Sequence, residues 1–151
     1  MKRLFVLLVL LILFTVSACK KVDMASEQAL LSDIQQKMYE AFQKGDIEYV
    51  KKYNAQDLEL FFTEKEFQVK ISFSDWIRNF DINFKPAGNV KITVNNIQWI
   101  VSPAMAMCKS EETWEENILT KPIKKNYLTT KVYEKRNNEW YVVHVHQSFM
   151  P

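Results

Sequence analysis

From Asn89 onward the chain is punctuated at every second position, in four successive stretches: NVKITVNNIQWIV (89–101), AMAMCKSEETWEE (104–116), KNYLTTKVYEKR (125–136) and EWYVVHVHQSF (139–149). A period of two places alternate side chains of an extended chain on one face, so each stretch reads as a strand. The joints between them are short and polar, the last being Asn137 and Asn138, and short joints make consecutive strands antiparallel. Such a meander has an apolar face that something else in the chain must cover.

The first half supplies the cover. Leu30, Leu31, Ile34, Met38, Ala41 and Phe42 recur at spacings of three and four and predict a helix, with Ser26 as its cap and Gly45 as its stop. Asp46 can cap a second helix, in which Ile47, Val50 and Tyr53 share a face. LELFF (58–62) reads as a short strand. SFSDWIRNF reads as a third helix starting near Ser72 or Ser74 and turning Trp76, Ile77 and Phe80 inward, and FKPAGN as the turn after it. Helices followed by a mostly antiparallel sheet make an α+β domain.

Ahead of this domain stand Lys2 and Arg3, an apolar run from Leu4 to Phe14, and VSAC, ending at Cys19. These are the parts of a secretory signal, and the run is shorter than the roughly 20 apolar residues that span a bilayer. VSAC resembles the lipobox of bacterial lipoproteins. The resemblance implies cleavage after residue 18, acylation of Cys19, a tether over 19–26 and a folded domain over 27–151. It also implies a lipid-anchored protein of the bacterial cell envelope, facing the periplasm from the outer membrane where one exists.

Cleavage would remove two of the 20 basic residues and none of the 18 acidic ones, so the mature formal charge would be zero and nucleic acid is not an expected partner. Cys108 would be the remaining thiol, read as a small buried hydrophobe. His144 and His146 are the only histidines. A zinc site needs three or four converging ligands, so no metal and no cofactor is expected. Strict alternation puts the two histidines on one face with Trp140, Val142 and Ser148, and Tyr141, Val143, Val145, Gln147 and Phe149 on the other, the better candidate for the core. EETWEE (111–116) and KKNYLTTK (124–131) read as oppositely charged partners across a hairpin.

AFQKGDIEYVKKYNAQDLELFF and TTKVYEKRNNEWYVVHVHQS resemble the SnoaL-like branch of the nuclear-transport-factor-2 (NTF2) fold, nearest to the calcium/calmodulin-dependent kinase II association domain. The resemblance covers residues 27–149 and implies a sheet curved into a cone around a cavity that helices close. It implies Asp57 as general acid or base, with Tyr53 or His144 as further candidates. It carries two pocket arginines of the kinase relative onto Lys109 and Lys131, and the expected pocket also holds Asp57, Trp76 and His146. Lysines there would attract a small anionic ligand. The expected role is binding of a small ligand or a protein by a homodimer paired through its sheet. Isomerase or dehydratase chemistry and a purely structural role are the alternatives.

Overall fold

The computed structural model describes residues 22–64, 67–83, 90–118 and 121–151. The signal segment, Cys19 and the FKPAGN turn lie outside the described residues. Helix α1 (Met24–Lys44) begins earlier than expected: Asp23, not Ser26, is its cap, its carboxylate accepting from the Ala25 N–H at 3.1 Å. Gly45 ends the helix at φ 70°, a left-handed backbone that a Cβ would oppose, and Asp46 caps α2 (Ile47–Tyr53) by accepting from the Tyr49 N–H at 3.1 Å. Leu31, Ile34, Met38, Ala41 and Phe42 are buried, whereas Leu30 lies off the stripe and is exposed. Gln35 and Tyr39 take buried places on the same face.

Strand β1 (Asn54–Glu64) is longer than the LELFF segment and is followed by β2 (Phe67–Ser72), which the sequence reading lacked. Helix α3 (Phe73–Asn83) then packs Trp76 and Ile77 against the core. The four alternating stretches become β3 (Lys91–Val101), β4 (Met105–Ile118), β5 (Lys121–Arg136) and β6 (Glu139–Met150), paired antiparallel in sequence. Asn137 and Asn138 both take positive φ, 52° and 66°, which gives the β5–β6 hairpin a turn twisted to match its strands.

The sheet runs in the order β2-β1-β6-β5-β4-β3, with β6 returning parallel to β1 and all other pairs antiparallel. The α+β expectation holds, but the cone does not. The sheet is neither closed nor strongly curled: β2 and β3 are its edges, and no pairing among the described residues joins them. The helices cover one face of an open sheet. Two groups of buried side chains fill the space between, one around Leu31, Leu60, Tyr133 and Trp140, the other around Met38, Phe42, Val50 and Ile92.

One irregularity in β6 decides which side chains enter that space. Val142 pairs with Tyr133 and His144 with Val132, so Val143 is an extra residue, a β-bulge. Before it Trp140 and Val142 are buried; after it the inward positions pass to Val145 and Gln147. Strict alternation therefore fails at Val143. His144, His146 and Ser148 end on the opposite face of the sheet from Trp140 and Val142.

Candidate functional site

Between the C-terminal half of α1 and the sheet lies a cavity of about 180 Å³. Its walls are apolar and largely aromatic: Met38 and Phe42 of α1, Phe62 of β1, Trp76 of α3, Trp114 of β4 and Tyr127 of β5. Phe42 stands edge-on to Trp76, ring centroids 5.5 Å apart, and 6.0 Å from Trp114, which meets Tyr127 edge-on at 6.3 Å. Trp76 and Lys131, both expected in the pocket, line this cavity.

The polar side chains are collected at one end. Inward alternation along β4 takes Cys108, Ser110 and Glu112 into the interior, and along β5 Thr129, Lys131 and Tyr133. Glu112, with a side chain 1% exposed, is the centre. Its Oε1 accepts from the Tyr39 hydroxyl at 2.5 Å, Ser110 Oγ at 3.1 Å and Lys131 Nζ at 3.4 Å. Its Oε2 accepts from the Trp114 indole at 2.9 Å and Gln147 Nε2 at 3.3 Å. Lys131 also donates to Tyr39 Oη at 2.8 Å, and Gln35 Nε2 donates to the same oxygen at 2.9 Å. Tyr133 closes the chain by donating to Gln35 Oε1 at 2.5 Å. No buried side-chain nitrogen or oxygen among the described residues lacks a partner.

The electrostatics follow from this packing. Burial pushes the Glu112 carboxyl up, but the Lys131 charge and the hydrogen bonds from Tyr39, Trp114 and Ser110 outweigh it and leave the group below the usual carboxylate range. Burial, with the charge of Glu112 behind it, holds the Tyr39 phenol well above its ordinary value, so it stays a donor. Burial likewise raises Tyr133 and the Cys108 thiol. The floor is thus an ionised carboxylate held by neutral donors and one ammonium.

Glu112 escaped the sequence reading, which took EETWEE as a charged face pairing across a hairpin. The signal was present: counting back by twos from Glu112 reaches Ser110, Cys108 and Ala106, an inward set that a buried cysteine would have betrayed. Glu115, one place out of phase with that set, does make the expected cross-hairpin pair, with Lys124 at 3.6 Å.

Other expected site residues stand elsewhere. Asp57 is 67% exposed and held in a two-pronged pair by Arg136 at 2.9 and 3.0 Å; that hydrogen bonding lowers its carboxyl rather than raising it toward a useful base. Lys109 lies one position out of phase with Cys108 and Ser110, on the outer face. Tyr53 packs against Tyr49, centroids 4.9 Å apart, beside the core and outside the cavity lining. On the outer face His144 lies against Phe61, centroids 5.3 Å apart, and His146 Nε2 sits 3.1 Å from Thr63 Oγ1 and 3.3 Å from Ser148 Oγ. The structure therefore brings neither Asp57 nor a histidine together with Lys131. Among the described residues no group of three or more His, Cys, Asp or Glu is placed to hold a metal ion.

No curated protein matches the chain by sequence. Solved structures match it in fold. A candidate calcium/calmodulin-dependent protein kinase II association domain from Xanthomonas campestris is similar at a TM-score of 0.66 and 23% identity, over 89% of this chain and 94% of that one. The corresponding association domain of C. elegans gives 0.66 at 18% identity, over 83% and 97%. A candidate dehydratase of the NTF2-like family from Streptomyces avermitilis gives 0.70 at 12% identity, over 85% and 99%. At such identities the likeness is one of fold, and the fold is NTF2-like. Residues 31–151 match the SnoaL-like domain, and the chain belongs to that family.

Proposed function

We propose that the domain is a small-molecule enzyme of the proton-transfer kind, a dehydratase or isomerase, working in the cavity above Glu112 and Lys131. One observation carries the reading: a carboxylate and an ammonium 3.4 Å apart, with side chains 1% and 11% exposed, in a cavity lined mainly by apolar and aromatic side chains. Burying such a pair costs several kcal/mol per ion before their attraction is counted, and an apolar pair would fill the space as stably. A substrate carbonyl could take a hydrogen bond from Lys131 while Glu112 accepts the proton released beside it. The long contacts to Glu112, from Lys131 at 3.4 Å and Gln147 at 3.3 Å, are the ones a substrate would displace. The dehydratase description of the Streptomyces relative supports the same direction.

The test is exchange of α-protons in D₂O. Small ketones incubated with the protein should take up deuterium faster than in buffer, and Glu112→Gln should slow that by about 100-fold or more, the usual contribution of a positioned base. No exchange above buffer with any of them would overturn the reading. A second reading, binding without turnover, is favoured by the saturation of the Glu112 carboxylate with donors, which weakens it as a base. It predicts saturable binding with no exchange.

The location proposed is the bilayer surface, with Cys19 acylated, on the strength of the VSAC segment. Cys19→Ser should then release the protein from membranes, and full retention would sink the idea. Among the described residues no helix is long and apolar enough to cross a membrane. Pairing of two copies through the outer face of the sheet belongs to the same proposal, supported by exposed Ile100, Met105 and Leu128 there. A monomeric mass in sedimentation at micromolar concentration would remove it.

A further inference from the structure

The charges on the cavity wall favour one class of ligand over another. Among the described lining residues Lys131 is the one ammonium or guanidinium group and Glu112 the one carboxylate, and they lie within 3.4 Å of each other. Seen from the cavity they form a short dipole of zero net charge. An anion drawn toward Lys131 meets Glu112 at nearly the same distance, so little attraction remains to offset the water it must shed to enter between aromatic walls. Lys125, in register with Trp114, does not change this. It lies outside the cavity lining, beyond Trp114 and Tyr127 and about 20 Å along the strand from the Lys131 end where a ligand's polar group would sit.

A neutral carbonyl or hydroxyl has no such penalty. It needs one donor, which Lys131 or Gln147 supplies, and the Glu112 carboxylate can take a hydroxyl proton in a hydrogen bond. Size narrows the class further: cavities of about 150 Å³ admit benzene, so about 180 Å³ takes one ring with a short substituent. The rings of Phe42, Trp76, Trp114 and Tyr127 suit an aromatic or similarly flat body, which stacks or meets them edge-on.

We infer that the cavity selects neutral, ring-sized carbonyl or hydroxyl compounds and excludes the corresponding carboxylates, with the Glu112–Lys131 pair as the specificity determinant. The inference rests on reading the cavity as a small-molecule site, and it replaces the anionic ligand expected from the family resemblance.

The experiment measures binding of acetophenone, benzoate and benzylammonium to the full-length protein by ligand-observed NMR. Wild-type protein should bind acetophenone about ten-fold or more tightly than either ion, since each ion gives up hydration that the paired charges do not restore. Glu112→Gln, which leaves Lys131 without its counter-charge, should reverse the order and favour benzoate. Equal or tighter benzoate binding by the wild-type protein, or no binding of any of the three, overturns the inference. So does a folded Glu112→Gln variant that keeps the wild-type order. Where that variant does not fold, the wild-type ratio decides by itself. Proton exchange without the preference defeats the inference alone, and the preference without exchange defeats only the catalytic reading.

Discussion

The indole N–H of Trp140 donates to Glu27 Oε2 at 2.7 Å, fastening the first turn of α1 to the start of β6, while Lys135 holds the other oxygen of the same carboxylate at 2.6 Å. The hydrogen bond from Lys135, then that from Trp140, keeps the Glu27 carboxyl below its ordinary value near 4.5. A carboxyl depressed in the folded state stabilises fully above its unfolded value and loses that contribution as pH falls through the folded one. Urea midpoints should therefore fall below about pH 4.5, and Glu27→Gln should flatten that acid limb while lowering stability at neutral pH by about 1 to 3 kcal/mol. An unchanged acid slope in the variant would count against the fastening.

Glu112 and Lys131 should be strongly coupled in stability. Glu112→Ala leaves a buried ammonium without its counter-charge and should cost about 3 to 5 kcal/mol, and Lys131→Met should cost a similar amount for the opposite reason. The double variant Glu112→Ala with Lys131→Met should cost less than the two single changes added together. Chemical denaturation of the four proteins checks this, and simple additivity would mean that the pair is not an energetic unit.

Asp57→Asn should do little. The pair with Arg136 is largely in water, so its loss should lower stability by less than about 1 kcal/mol, and ligand binding in the cavity should be unchanged. A loss of binding or of exchange in this variant would restore Asp57 as the acid–base group.

His146→Ala removes contacts to Thr63 and Ser148 on the face turned away from the cavity. The expected cost is about 1 kcal/mol or less, with no change in affinity for acetophenone. A marked fall in that affinity would contradict the placement of β6 around its bulge.

How far the sequence could be read depended on which signals were local. The change of period after Asn89, the short joint at Asn137 and Asn138, the stop at Gly45 and the cap at Asp46 are each written within a few residues, and the strands from Lys91 on, the hairpin turn, the stop and the cap are found in the fold. Strand β2 was missed although Phe67, Val69 and Ile71 alternate with Gln68, Lys70 and Ser72: it is a six-residue strand at the sheet edge, where Phe67 and Val69 stay exposed and Ile71 packs against the core. The cone came from likeness and not from these residues, and the open order of the strands corrects it. Glu112 was hidden by chemistry: an acidic residue among acidic residues looks solvated, and its burial is explained by donors as far off in sequence as Tyr39, 73 positions away, and by Lys131. Lys131 was found through likeness; Glu112 was legible only in the phase it shares with Cys108 and Ser110.

The bulge at Val143 makes the last strand two half-strands of opposite phase. The first half inserts Trp140 and Val142 beneath α1, and the second hands Val145 and Gln147 to the cavity. Phase is counted in single residues, so this one extra residue is what turns the imidazoles away: were Val143 paired in plain alternation, His144 and His146 would share the inner face with Trp140 and Val142. Deleting Val143 would instead leave Val142 inward and His144 outward in an unbroken strand, with the histidines still outside.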